Sequence, residues 1–81
     1  MNEKQVLDLL AEFVREKLGV EFSEDMTFND LEGFNSMLIV ELILYLEENL
    51  QIEIPEEYYT IDNYTNVSSI LNVIQNSPHL Q

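Results

Sequence analysis

Ten consecutive positions, Met37 to Leu46, carry nine apolar side chains and one acid, Glu41. A bilayer-crossing helix needs about 20 apolar residues, so this run is too short to span a membrane. It continues as a helix from Ser36 to about Gln51, and its apolar surface is too wide for a single core-facing stripe. The chain has 81 residues, enough for one domain. A domain of that size buries only about 60 to 65% of the surface its unfolded chain exposes, so part of this helix must face outward.

The rest of the chain is organised around that helix. Between Glu3 and Leu18, Val6, Leu7, Leu10, Phe13, Val14 and Leu18 recur at three- and four-residue spacing, with Asp8, Glu12, Arg15 and Glu16 on the other side. This predicts a first helix over 3–18. Gly19 stands where a left-handed residue ends it, and Val20 and Phe22 are placed to fold back onto it. Residues 19–35 read as a long loop whose turn formers (Thr27, Asn29, Asp30, Gly33, Asn35) alternate with apolar anchors (Met26, Phe28, Leu31, Phe34). A short helical turn near Thr27–Leu31 would break it up.

Pro55 closes the segment after the second helix. A short third helix is expected over 56–60. A fourth is expected over 66–76, with Val67, Ile70, Leu71 and Ile74 as its stripe and Thr65 or Asn66 as its cap. The tail 77–81 should fray. With no hairpin signal and no internal repeat, the fold class is all-α: three main helices and one short helix.

Charge limits the range of functions. Sixteen acids face three basic residues, Lys4, Arg15 and Lys17, for a formal net charge of -13. Nucleic-acid phosphates are excluded as a target. An acidic field of this kind accelerates encounters with basic protein surfaces by roughly 10- to 1000-fold at low salt, although it also serves solubility. The chain has no cysteine, so any thiol chemistry needs an added group. The N-terminal residues lack the pattern of a signal peptide, and no lipidation motif is present, which points to the cytoplasm.

No catalytic constellation is found. The single histidine, His79, lies in the tail and has no partner set for nucleophilic or metal chemistry. The acidic stretch Asp25-Met26-Thr27-Phe28-Asn29-Asp30 places apolar side chains where a calcium loop needs oxygen. The pairs Glu47-Glu48 and Glu56-Glu57 read as solvated faces. Ser36 remains, at the start of the second helix. Serine there is a preferred helix cap worth about 1 kcal/mol, and the same position favours a phosphodiester because free N–H groups and the helix dipole attract negative charge.

The ordered set Asn35-Ser36-Met37, Val40-Glu41-Leu42, Glu47-Glu48 and Ile52-Glu53-Ile54-Pro55, reached through the loop that starts at Thr27, resembles the acyl carrier protein family. The resemblance implies a four-helix bundle of acyl-carrier type. It implies a 4'-phosphopantetheine arm attached to Ser36 by a phosphopantetheinyl transferase, whose thiol holds an acyl or aminoacyl group for fatty-acid, polyketide or related biosynthesis. It implies a non-catalytic monomer that is itself a substrate of loading enzymes and of synthase enzymes with basic patches.

The second helix then becomes the recognition element. Glu41, Glu47 and Glu48 would supply its charge, and Met37, Val40 and Leu44 its apolar contact, with Asn35 beside the arm. Leu42 and Leu46 are the better core candidates. Asn35 stands where fatty-acid and polyketide carriers usually have aspartate, and Leu38 is apolar where many carriers are polar. Tyr58, Tyr59 and Tyr64 either rim a cargo pocket or pack as core aromatics. The competing reading is an unmodified acidic helical module that binds a basic protein or mimics nucleic-acid charge, with Ser36 acting only as a cap.

Overall fold

A computed structural model describes residues 2–80. Three α-helices form the frame: α1 (Glu3–Leu18), α2 (Ser36–Leu50) and α3 (Val67–Gln75), the last being the fourth helix of the sequence reading. Three 3-10 turns lie between them, at Phe28–Asp30, Glu56–Tyr58 and Ile61–Tyr64. Among the described residues there is no β-strand, and no helix is long and apolar enough to cross a membrane.

Each helix is capped by its sequence neighbours. Asn2 accepts from the Gln5 N–H, Asn35 from Leu38 and Asn66 from Ser69, so the same side-chain type starts all three. α1 stops at Gly19, whose φ of 68° lets its N–H return to the Arg15 carbonyl. α2 ends one residue earlier than its apolar pattern suggests, because Gln51 itself turns left-handed at φ 55°. The helix count offers no glycine there, and Gln51 accepts the strain of a position that usually takes one.

The core draws Val6, Leu10, Phe13 and Val14 from α1, Ile39, Leu42, Ile43, Leu46 and Leu50 from α2, and Val67, Ile70, Val73 and Ile74 from α3. Full burial of one such aliphatic side chain is worth about 1.5–3 kcal/mol. Tyr45 joins α2 to α1 by a second means: its hydroxyl donates to the Leu9 carbonyl at 3.0 Å while its ring lies 5.2 Å from that of Phe13. The long loop is fixed by burial of Phe28, whose N–H donates to the Thr65 carbonyl at 2.7 Å.

Two features depart from the sequence reading. The short third helix expected over 56–60 is a shorter 3-10 turn at Glu56–Tyr58, followed by another at Ile61–Tyr64 that delivers Tyr64 to the core. Pro55 sets the entry with φ −61°, and the tight 3-10 geometry covers the α2–α3 gap in few residues. The residues after α3 do not fray. The Ser77 hydroxyl donates to the Val73 carbonyl, the Glu53 N–H to Pro78 and the Leu80 N–H to Gln51, which pairs His79 with Ile52. Those bonds give the backbone that leaves α2 partners it would otherwise lack. Gln81, part of the expected tail, lies outside the described residues.

Candidate functional site

The start of α2 decides what Ser36 can do. Asn35, not Ser36, caps the helix: its Oδ1 accepts from the Leu38 N–H at 2.9 Å, and its carbonyl receives the Ile39 N–H at 3.1 Å. Ser36 is the first helical residue, exposed, and among the described residues its hydroxyl takes part in no hydrogen bond. The cap that the competing reading gives to Ser36 is therefore supplied by Asn35. The physical reason is that the Asn35 backbone is extended (φ −148°, ψ 178°), so its short side chain reaches back over the first turn. That turn contains no acid, so the first turn itself supplies no negative partner for the positive end of the α2 dipole. An exposed hydroxyl on that end is a good fit for attachment of a phosphodiester.

The outer face of α2 separates from its core face as follows. Met37, Val40 and Leu44 are 77, 53 and 58% exposed, whereas Leu42 and Leu46 are buried. Glu41 and Glu48 are exposed beside that apolar line. Glu47 is different: it is half-buried, and its Oε2 accepts the Ile54 N–H at 2.8 Å. One of the three acids assigned to recognition thus holds the chain as it leaves α2. Periodicity alone could not show this, because the donor lies seven residues away on a non-helical segment.

The tyrosines divide as well. Tyr64 is fully buried, and among the described residues its hydroxyl has no hydrogen-bond partner. Burial, helped by nearby Tyr59 and Glu47, pushes its pKa up to about 12. Tyr59 is exposed, and desolvation followed by Glu47, Glu56 and Glu53 raises its pKa. Tyr45 is raised by burial and then by Glu12 and Glu16. Tyr59, read from the sequence as a pocket rim or a core aromatic, is exposed and, with Ile61, adds apolar surface after α2. Tyr59 follows the 3-10 turn at Glu56–Tyr58 and Ile61 opens the next one, so neither carries a 3.6-residue signal to reveal it.

The apolar interior bordered by Phe34 and Leu38 is nearly closed. Leu10, Phe13, Phe28, Phe34, Leu42 and Ile70 are among the residues around an apolar cavity of about 10 Å³, room for roughly one water. His79 is exposed and stands in no cluster of metal-ligating residues; none occurs among the described residues.

Comparison with known proteins matches residues 8–74 to the family described as the phosphopantetheine attachment site. The chain belongs to the acyl carrier protein family. An acyl carrier protein of Clostridium perfringens (strain SM101 / Type A) is 46% identical over 55 residues, covering 64% of this chain and 72% of that protein. One from Exiguobacterium sibiricum is 32% identical over 78 residues, covering 93% of this chain and 96% of its own. A solved structure, "The ishigamide ketosynthase/chain length factor", contains a chain that superposes with a TM-score of 0.65 at 23% identity, covering 85% of this chain and 88% of that one. That likeness concerns the fold. The family's cofactor is phosphopantetheine, and a carrier of this type works with transferase and synthase enzymes.

Proposed function

We propose that Ser36 receives 4'-phosphopantetheine and that the chain serves as a monomeric, non-catalytic carrier of an acyl or aminoacyl group in fatty-acid, polyketide or related biosynthesis. The observation that supports this best is the division of labour at the start of α2: Asn35 caps the helix, which leaves the exposed Ser36 hydroxyl free for modification. When attached, the arm supplies a terminal thiol that holds cargo as a thioester, a group the cysteine-free chain lacks.

The chain's own residues orient and present that arm. The N–H groups of Ser36 and Met37 lie in the first helical turn, where intrahelical acceptors are missing, a setting that favours a phosphodiester. Met37, Val40 and Leu44 offer an apolar strip to a partner enzyme, and Glu41 and Glu48 beside it offer charge to a basic rim. Met37, next to Ser36, is the most exposed of the three and the natural first contact for the transferase.

Intact-mass measurement after incubation with coenzyme A, magnesium and a broad-specificity phosphopantetheinyl transferase tests this reading. The wild-type chain is expected to gain one phosphopantetheine, and Ser36→Ala none. No gain with transferases of several types would overturn it.

A further inference from the structure

We propose that Met37 is an oxidation site of this chain: hydrogen peroxide converts its thioether to the sulfoxide before the arm is attached, and the product slows attachment at Ser36. The effect on attachment rests on the reading of Ser36 given above, whereas the oxidation stands apart from it.

Sulfur in this chain is confined to methionine. There are three methionines, Met1, Met26 and Met37, and no cysteine, so until a phosphopantetheine arm arrives no thiol of the chain competes with a thioether for oxidant. Met1 lies outside the described residues. Met26 and Met37 sit in opposite settings. Met26 is half-buried and packed against the core, and its sulfur accepts the Ser23 N–H at 3.4 Å. That contact engages a lone pair an oxidant would need. Met37 is 77% exposed, more than any other large apolar side chain among the described residues. Its thioether is open to solvent.

The chemistry closes with peroxide alone. A lone pair of the sulfur attacks one peroxide oxygen, the O–O bond breaks, and a proton shift releases the other oxygen as water. The sulfur gives up an electron pair, the peroxide is reduced, and the chain gains one oxygen atom.

Position gives this change its consequence. Met37 follows Ser36 directly and heads the exposed line Met37, Val40 and Leu44 on the outer face of α2. The thioether is a flexible apolar contact, and the sulfoxide is polar. A transferase that reaches the Ser36 hydroxyl covers its neighbour, and a sulfoxide oxygen covered there without a donor is left unmatched. The fold is spared, because the core members of α2 are Ile39, Leu42, Ile43, Leu46 and Leu50. Oxidation at Met37 therefore alters what the helix presents and leaves the bundle intact. Methionine sulfoxide reductases reverse it.

The unmodified chain is treated with dilute hydrogen peroxide, the oxidant is removed, and a peptide map follows oxygen gain at each methionine over time. Met37 should oxidise several-fold faster than Met26. Oxidised wild type, with its circular dichroism unchanged, should then be loaded from coenzyme A by a phosphopantetheinyl transferase with kcat/KM lowered about 5- to 150-fold, the range for an unmatched buried polar group. Treatment with sulfoxide reductase should restore loading. Met37→Leu, which still carries Met1 and Met26, should load equally well before and after its own peroxide treatment. Met26→Leu, a swap of similar volume, should keep the wild-type sensitivity. Oxidation of Met26 as fast as Met37, loading of oxidised wild type at the untreated rate, or a Met37→Leu chain that remains sensitive would each overturn the proposal. An untreated wild-type chain that gains no arm would instead overturn the attachment reading, and the order of oxidation is read from the peptide map in either case.

Discussion

The Glu47 carboxylate accepts the backbone N–H of Ile54 at 2.8 Å, tying the last turns of α2 to the segment that leads into the second 3-10 turn. Both Ile52 and Ile54 are buried on that segment. Glu47→Ala removes the acceptor and leaves a partly buried donor unmatched, an expected loss of about 1–3 kcal/mol. Glu47→Gln keeps an acceptor oxygen and should lose less than half of that. Urea unfolding followed by circular dichroism separates the two. If both variants unfold at the wild-type midpoint, the bond contributes nothing to stability.

Asn35 caps α2 through Oδ1, so Asn35→Ala should destabilise by about 1 kcal/mol. Asn35→Asp retains the cap and places a negative charge on a helix start that has no acid, which should stabilise the unmodified protein by about 0.3–1 kcal/mol at low salt. A thermal melt of the two variants in the same buffer should therefore bracket the wild type. An aspartate variant that melts below the wild type would argue that net self-repulsion outweighs the dipole.

Tyr64 predicts how stability depends on alkaline pH. In the unfolded chain a tyrosine loses its proton near pH 10, whereas Tyr64 in the fold holds it to about 12. Between those values the unfolded state binds fewer protons than the folded one, so stability must fall as pH rises. The loss attributable to Tyr64 approaches about 2–3 kcal/mol once pH exceeds 12. Tyr45 and Tyr59 shift in the same direction and add to it. Tyr64→Phe removes a hydroxyl that has no partner, so it should match or exceed the wild type at neutral pH and show a shallower alkaline decline. An unchanged slope in denaturant midpoints measured from pH 9 to 12 would contradict the assignment.

Salt should raise the melting temperature. The chain carries a net charge of -13, and Lys4–Asp8, with side chains 82 and 68% exposed, offsets almost none of it. At 0.01 M salt the screening length is about 30 Å, comparable to the molecule's 35 × 24 × 19 Å, so its acids repel across the whole fold. At 0.15 M the length falls to about 8 Å and much of that repulsion is screened. Calorimetric scans across this range should show a steady rise, whereas Lys4→Gln should leave the melting temperature within error of the wild type at physiological salt.

The helices were legible in the sequence because helix formation is local. Repeats such as Val6-Leu10-Phe13-Val14 and Ile70-Ile74 mark a buried stripe wherever they occur, and Gly19 marks an end. The excess apolar width of α2 likewise required an exposed face, and the order of residues around Ser36 was enough to suggest the family. Tertiary structure alone decided which of several competent groups took each role. Asn35 rather than Ser36 caps α2, Glu47 turns from the outer face to hold Ile54, Tyr64 is buried with its hydroxyl unmatched, and residues 77–80 dock on the exit from α2. Periodicity reports which way a side chain points from its own helix. It carries no information on which distant backbone donor or apolar wall will meet that side chain, because this depends on how separate segments pack.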